Sequence, residues 1–470
     1  MSETLDALLI FPADLYKQGN MWKEVHSNFP PLGLASIASY SRSKGHNVKI
    51  LDCNIECPSV ESFKKYIKEF SKQFKEIKFI GLTAVTSNIK KAYKIAELCK
   101  KYYPNSKLVF GGVHATFMSN EVINKKYVDF VVYGEGEITF EELLSNKPLN
   151  EIDGLIFKKN KKIIRNNERS RITDLDSMPM PAYDLLPIEK YRPAKGTYKR
   201  LPAMSMMTSR GCPGRCTFCE KTLGIKMVFK SAEKVFKEIN YLIKNYKIKE
   251  IEFYDDTFTV YKKNVLKLCD LITKNKTDIT WTCFARVDFI DEEMLKKMKD
   301  AGCHQIMYGV ESTNGEVLKN INKKIQIEQV VKAVKWTKNV GIECRVAFMV
   351  GNPGDTVEII KENIKFVNEI DPDLLVVNIT TPFPGTAMFD WAKSKNLLLT
   401  YDWDDYDLSK PVMKLENMSA NEIVKLYNMM YRGFYLRPSF ILKKILSIRS
   451  FGDFTNLFEG FKSVLSFLNK

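Results

Sequence analysis

Short apolar runs of β type alternate with amphipathic helical stretches in two blocks of the chain, and the alternation predicts parallel sheets. In the first block, residues 1–145, strands are expected at Ala7–Phe11, Val48–Leu51, Phe79–Thr83, Leu108–Phe110 and Phe130–Tyr133. Helical patterns lie between them: Leu34–Lys44 closed by Gly45, Glu61–Phe74, and Ile89–Tyr103. Five such strands predict a Rossmann-like, doubly wound parallel sheet, with ligands in the loops at the carboxyl ends of strands. Small residues concentrate in those loops: Thr83-Ala-Val-Thr-Ser87-Asn88, Gly111-Gly112-Val-His114-Ala-Thr116 and Gly134-Glu135-Gly136-Glu137.

Residues 146–200 interrupt the alternation with a basic stretch, Lys158–Lys162, and prolines at 179, 181, 187 and 193. They read as a hairpin followed by a linker. The second block, residues 201–390, resumes it, with strands expected at Ala203–Ser209, Glu250–Tyr254, Thr280–Ala285, Gln305–Tyr308, Glu343–Val350 and Asp373–Ile379. Helix Ser231–Tyr246 places apolar residues at 232, 235, 236, 239, 242, 243 and 246, the spacing of one buried face. Asp291 caps a later helix that Gly302 follows, and Asp355 with Glu358 predicts a capping box for another. Six β/α units are too few for a closed eight-fold barrel. The expectation is an α/β chain in which a partial (β/α)6 TIM-type barrel carries its site at the carboxyl strand ends. Residues 391–470 read as a mainly helical extension without an RNA-binding β-barrel.

Length and composition narrow the class. At 470 residues the chain is long enough for two to four domains. No run of 18 apolar residues occurs, and the first residues lack the basic-then-apolar order of a signal peptide, so neither a membrane span nor secretion is expected and the location expected is cytoplasmic. Lys+Arg 72 minus Asp+Glu 56 gives +16, which permits acidic partners without identifying one, and nothing points to DNA. Ten cysteines in such a chain fit reduced thiols or metal ligation better than a disulfide framework.

The strongest chemical signal follows the first strand of the second block: Ser209-Arg-Gly-Cys212-Pro-Gly-Arg-Cys216-Thr-Phe218-Cys219. Three cysteines spaced C-x3-C-x2-C on a glycine-containing loop can aim their sulfurs at one centre. A structural zinc site usually takes four ligands, and no fourth Cys or His lies nearby. An iron–sulfur cube held by three thiolates leaves one iron open to a substrate. A zinc loop stays the alternative.

On this motif, with Phe218 before the last cysteine, the chain resembles the radical S-adenosylmethionine (SAM) superfamily. The resemblance continues at successive strand ends: Phe253-Tyr-Asp255-Asp256, Arg286-Val-Asp288, Gly309-Val-Glu311, Gly351-Asn-Pro-Gly-Asp355 and Thr381-Pro-Phe-Pro-Gly-Thr386. It implies that Cys212, Cys216 and Cys219 hold a [4Fe-4S] cluster whose electron cleaves SAM to a 5′-deoxyadenosyl radical. SAM would meet Phe218, Gly351 and Thr381, with Asp255 or Asp256 on its ammonium, Arg286 on its carboxylate and Glu311 on a ribose hydroxyl.

The first block resembles the cobalamin-binding domain of cobalamin-dependent radical SAM enzymes. The matching residues are Pro30-Pro-Leu-Gly33, Gly111–Thr116 and Asp129–Glu137. Cobalamin contacts are thereby implied for Thr83, Ser87, Gly111, Gly112, His114, Gly134, Glu135 and Gly136. The chain has no D-x-H-x-x-G, so His114 is expected as a wall contact and not as a ligand of cobalt. His46, after Gly45 in a turn, reads as structural.

The function so implied is transfer of a methyl group from methylcobalamin to an unactivated carbon. Alternatives are a radical rearrangement, cyclisation or oxidation, and a tRNA methylthiotransferase. The last would use Cys53, Cys57 and Cys99 for a second cluster, but Cys99 shares a helix face with Ala92, Ile95 and Ala96 and reads as buried. Cys269 likewise joins Val265, Leu268 and Ile272. The resemblance also implies an external donor such as flavodoxin or ferredoxin, and an unidentified substrate that is a small molecule, a lipid or a protein side chain. No residue is assigned to catalysis from the sequence. The last 39 residues, Arg432–Lys470, carry seven Lys/Arg against two Asp/Glu, or +5. Their amphipathic runs Phe440–Leu446 and Phe454–Leu465 are expected to pack on the barrel or to touch a membrane surface.

Overall fold

The computed structural model describes residues 3–13 and 28–446. The first sheet has seven strands: β1 (Glu3–Phe11), β2 (Val48–Asp52), β3 (Phe74–Thr83), β4 (Lys107–Gly111), β5 (Phe130–Val132), β6 (Leu155–Lys159) and β7 (Lys162–Arg165). Their order is β2-β1-β3-β4-β5-β6-β7, parallel through β5 and antiparallel beyond it. The parallel strands are almost continuously apolar because helices cover both faces. One face packs Leu8, Ile10, Ile80, Leu82 and Phe110, and the other packs Ala7, Leu9, Val109 and Phe130. The hairpin read in 146–200 thus completes the first sheet. Its basic stretch is the turn between β6 and β7, where Asn160 and Lys161 take φ of 51° and 63°.

The second sheet contains β8 (Ala203–Met206), β11 (Glu250–Phe253), β12 (Thr280–Ala285), β13 (Cys303–Glu311), β14 (Glu343–Val350) and β15 (Leu374–Ile379), all parallel and in that order. It is the open six-stranded barrel that the alternation predicts. Ser209–Arg210 leaves it to pair as β9 with β10 (Val228–Phe229), and the cysteine loop lies between these two strands. β13 runs past the expected Tyr308 to Glu311 through a register irregularity at Gly309. Asp291 caps its helix through the Met294 amide as expected. Asp355 does not cap helix Val357–Ile370. Thr356 does, and Asp355 turns back to the amides of Gly351 and Asn352 at 3.0 and 2.8 Å.

An open barrel leaves strand edges that other groups must satisfy. At β15 the C-terminal helix Ala420–Tyr435 does so. Tyr431 Oη accepts from the Val377 amide and donates to its carbonyl, both at 3.0 Å, and Tyr435 treats Leu375 likewise at 3.1 and 2.8 Å. Helix Pro438–Leu446 follows, with Phe440 buried and Leu442, Ile445 and Leu446 exposed. The run Phe454–Leu465 lies outside the described residues. Among those described, no helix is long and apolar enough to cross a membrane.

The two sheets are joined by more than a linker. Ala35 of helix Leu32–Ser43 enters the barrel core. The Ala182 amide donates to Ala35, Tyr191 Oη donates to Asp52 at 2.9 Å, and Tyr183 Oη donates to Glu238 at 2.6 Å.

Candidate cluster and cofactor site

The cysteine loop starts where β8 ends, and Asp255 fixes that start. Its Oδ1 accepts from the Thr208 amide at 2.9 Å, the Ser209 amide and Ser209 Oγ, and its Oδ2 accepts from Thr208 Oγ1 at 3.0 Å. Burial raises this carboxyl to about 6 despite those bonds. Asp255 therefore serves the loop. Asp256 is the more open of the two, and partial burial with nearby Glu220 holds it above its usual range.

Past β9 the loop folds over Gly214. A methyl group there would lie 3.3 Å from Cys212 Sγ, 3.9 Å from Cys216 Sγ and 3.3 Å from Arg286 Nη1. Two sulfurs and a guanidinium thus face one small space that only glycine leaves open. Cys216 is hydrogen-bonded to Cys219, and that bond, with Lys323 and Arg286, draws its thiol below the ordinary range. Thiolate is the form that binds metal. The far side of the loop is anchored by the Thr217 amide to Ile321 at 2.9 Å, by Asn322 to the Arg215 carbonyl at 2.7 Å, and by the Met388 amide to Thr217 at 2.9 Å. Phe218 packs partly buried against the barrel core.

Arg286 is held at the rim by a bidentate pair with Asp288, at 3.0 and 2.9 Å. Glu311 closes β13 in the left-handed region, φ 70°, and is paired with Lys323 at 3.0 Å, both nearly buried. A methyl group at Gly309 would sit 2.5 Å from that carboxylate and 2.9 Å from the Lys323 ammonium, so the pair needs glycine there. The structure therefore brings Cys212, Cys216, Cys219, Arg286 and Glu311 together. Gly351, φ 95°, packs beside Ile423, and Thr381 donates to the Ile379 carbonyl, so both lie at strand ends with local partners. Lys323 is a residue that sequence reasoning missed. One lysine among many, 12 residues beyond its partner, carries no local signal.

On the first sheet, Thr83, Ser87, Gly111, Gly112, Gly134 and Gly136 are half-buried or buried at the carboxyl edge, except that Gly134 and Gly33 open onto free space. A methyl group on either would meet no atom of the described residues within 4 Å. Gly112, φ 87°, allows no side chain, since a Cβ would lie 2.5 Å from Thr83 Oγ1.

Two expected contacts are spent elsewhere. His114 is wholly buried, 3.1 Å from Thr86 Oγ1, 3.8 Å from Glu121 and edge-on to Trp403 at 5.4 Å. Against the effect of burial, His114, Trp403 and Tyr93 pull Glu121 down to about 2. His114 thus ties the C-terminal segment to the first sheet and does not line the open face. Glu135 pairs with Arg210 at 2.6 Å and accepts the Ile172 amide at 2.7 Å, while Glu137 takes the other arm of Arg210 at 2.5 Å. Arg210 stands two residues before Cys212, so this fork links the cysteine loop to the first domain. Cys53, Cys57 and Cys99 are all buried in the core, and burial pushes the Cys53 and Cys99 thiols up.

Residues 206–367 match the radical SAM superfamily and residues 21–144 match the B12 binding domain. An uncharacterized methyltransferase of Pyrococcus horikoshii is 38% identical over 456 residues, 96% of each chain. The chain belongs to the B12-binding radical SAM enzymes. Its cofactors are therefore a [4Fe-4S] cluster, SAM and cobalamin, and the three loop cysteines and the glycine-lined sheet edge fit them. An anaerobic magnesium-protoporphyrin IX monomethyl ester cyclase of Rubrivivax gelatinosus is 26% identical over 89% of this chain and 76% of its own. In fold, this radical SAM enzyme resembles OxsB, a cobalamin-dependent SAM radical enzyme. The TM-score is 0.75 at 17% identity, over 98% of this chain and 72% of that one.

Proposed function

We propose that the enzyme methylates an unactivated carbon. The observation that carries this reading is likeness along the full chain to a methyltransferase, joined to a fork, Arg210 with Glu135 and Glu137, that binds the cysteine loop to the cobalamin-type domain. When bound, the cluster and SAM supply a carbon radical, and cobalamin supplies the methyl group. The chain's own residues hold and orient. Asp255 sets the loop, the three cysteines grip the cluster, and Asp256 and Arg286 receive the charged ends of the methionine moiety. Glu311, steadied by Lys323, offers an acceptor to a ribose hydroxyl. The first electron comes from a reduced flavodoxin or ferredoxin in the cytoplasm.

Cyclisation is the second reading, favoured by the likeness to the cyclase of Rubrivivax gelatinosus. Methylthiolation is disfavoured by the burial of Cys53, Cys57 and Cys99. It would need about eight irons per chain where methylation needs about four. The deciding experiment loads the anaerobic protein with iron, sulfide and cobalamin and feeds it methyl-labelled SAM and a cell extract. Labelled methyl on a new carbon bond supports methylation. Protein that cleaves SAM yet retains no cobalamin overturns it.

A further inference from the structure

The barrel lumen holds a cation outside the set of residues named above for the cofactors. Along β14, Cys344, Val346, Phe348 and Val350 pack outward into the core, so Glu343, Arg345, Ala347 and Met349 point into the lumen. Arg345 pairs in register with Met307 of β13 and Leu374 of β15, and its guanidinium stands 5.8 Å from the Phe284 ring. Phe284 meets Tyr254 edge-on at 5.1 Å, and Tyr254 meets Phe29 at 4.7 Å. These aromatic rings wall the lumen beneath the rim. Arg345 makes no hydrogen bond or ion pair among the described residues, and its buried Nε is unpartnered. The carboxamide oxygen of Asn378, which also faces the lumen, is without a partner among the described residues too.

A guanidinium cannot shed its proton; this one is half-buried, with its Nε sealed from solvent and without a partner among the described residues. Burial accordingly pulls the Arg345 pKa down. Of the neighbouring carboxylates, Glu252 supports the charge in part, and the others are taken. Glu250 is occupied by His304 at 2.6 Å, Thr280 at 2.8 Å and two backbone amides, and Glu343 accepts from Gln305 at 3.1 Å. Glu252 is pushed up by burial to about 7, so it is only about half ionised at neutrality and offsets the Arg345 charge in part.

We propose that Arg345 is the anchor for an anionic group, carboxylate or phosphate, on the substrate, whose carbon skeleton lies against Phe284 and Tyr254 and whose polar donor meets Asn378. This assignment rests on the radical-enzyme reading above. Arg345 lies five residues below the end of β14, roughly 16 Å along the strand. The acid group therefore goes in first, and the reacting carbon stays near the rim, where the cysteine loop is. A planar guanidinium takes two acid oxygens at once, which fixes orientation as well as affinity.

The test uses protein loaded with cluster, SAM and cobalamin, and four short probes in equilibrium dialysis: hexanoate, hexyl phosphate, hexanol and hexylamine. Hexanoate or hexyl phosphate should bind about tenfold or more tightly than hexanol, the scale of one charge-assisted pair. Whichever anion wins names the acid. In Arg345→Met that preference should vanish, while Arg345→Lys should keep part of it. Equal binding of hexanol and both anions by the wild type, or a preference for hexylamine, overturns the assignment whether or not the variants fold. Iron content, cobalamin retention and SAM cleavage on the same samples report separately on the radical-enzyme reading.

Discussion

Replacing Arg210 by Met tests whether the fork joins the two domains. In the native structure the guanidinium holds Glu135 at 2.6 Å and Glu137 at 2.5 Å, with carboxylate side chains only 5% and 6% exposed. Removing it strands two buried charges. Glu135 keeps the Ile172 amide and Glu137 keeps the Ser36 hydroxyl at 2.8 Å, so each loses only its ionic partner. Breaking a buried pair costs about 3–5 kcal/mol, and the surviving bonds place this case near about 3. Urea unfolding of apo and cluster-loaded protein, followed by circular dichroism, measures the loss. Iron release after dilution should also quicken, because Cys212 is two residues from the cut. The triple variant Arg210→Met, Glu135→Gln, Glu137→Gln should recover most of the stability, since no buried charge is then orphaned. A single variant within about 1 kcal/mol of wild type, or a triple variant no better than the single, would refute the reasoning.

Three further outcomes are expected. Burial holds the Asp355 carboxyl at about 7, above its unfolded 3.8, so folding is favoured below pH ~4 and this support is lost as pH rises to ~7. Asp355→Asn, whose amide oxygen can still accept from Gly351 and Asn352, should flatten that slope and stabilise the protein at pH 8 by up to roughly 4 kcal/mol, checked by urea midpoints across pH. Gly112→Ala would place a methyl 2.5 Å from Thr83 Oγ1 and 3.0 Å from the Ala84 backbone, at φ 87°. Cobalamin retention on gel filtration should fall well below wild type while iron content holds. Tyr431→Phe should cost about 1–3 kcal/mol by stranding the amide and carbonyl of Val377, read in thermal or urea unfolding.

Both sheets were legible from the chain because parallel strands buried on two faces write themselves as apolar runs. Thr280–Ala285 and Glu343–Val350 have the expected limits. The hairpin Leu155–Arg165 was visible, but its place in the first sheet was not, since antiparallel addition at an edge depends on tertiary packing and not on local pattern. The cysteine spacing marked the cluster loop. What surrounds it was hidden for the same reason. The partners of Glu135, Glu311 and His114 lie between 12 and 289 residues away or on other elements, and charge pairing over such separations leaves no periodic trace. The Asp355 capping box failed because two adjacent acceptors, Asp355 and Thr356, competed for one helix end, and the loop amides of Gly351 and Asn352 took the first.

The tyrosine hydroxyls along β15 have a consequence for assembly. An unsealed parallel edge is a template on which a neighbouring molecule can grow, and here phenols occupy the alternate rungs that such growth would need. The lock is made of side chains on a helix rather than of backbone. Lifting helix Ala420–Tyr435 would therefore bare two whole rungs at once and turn a closed flank into a docking rail.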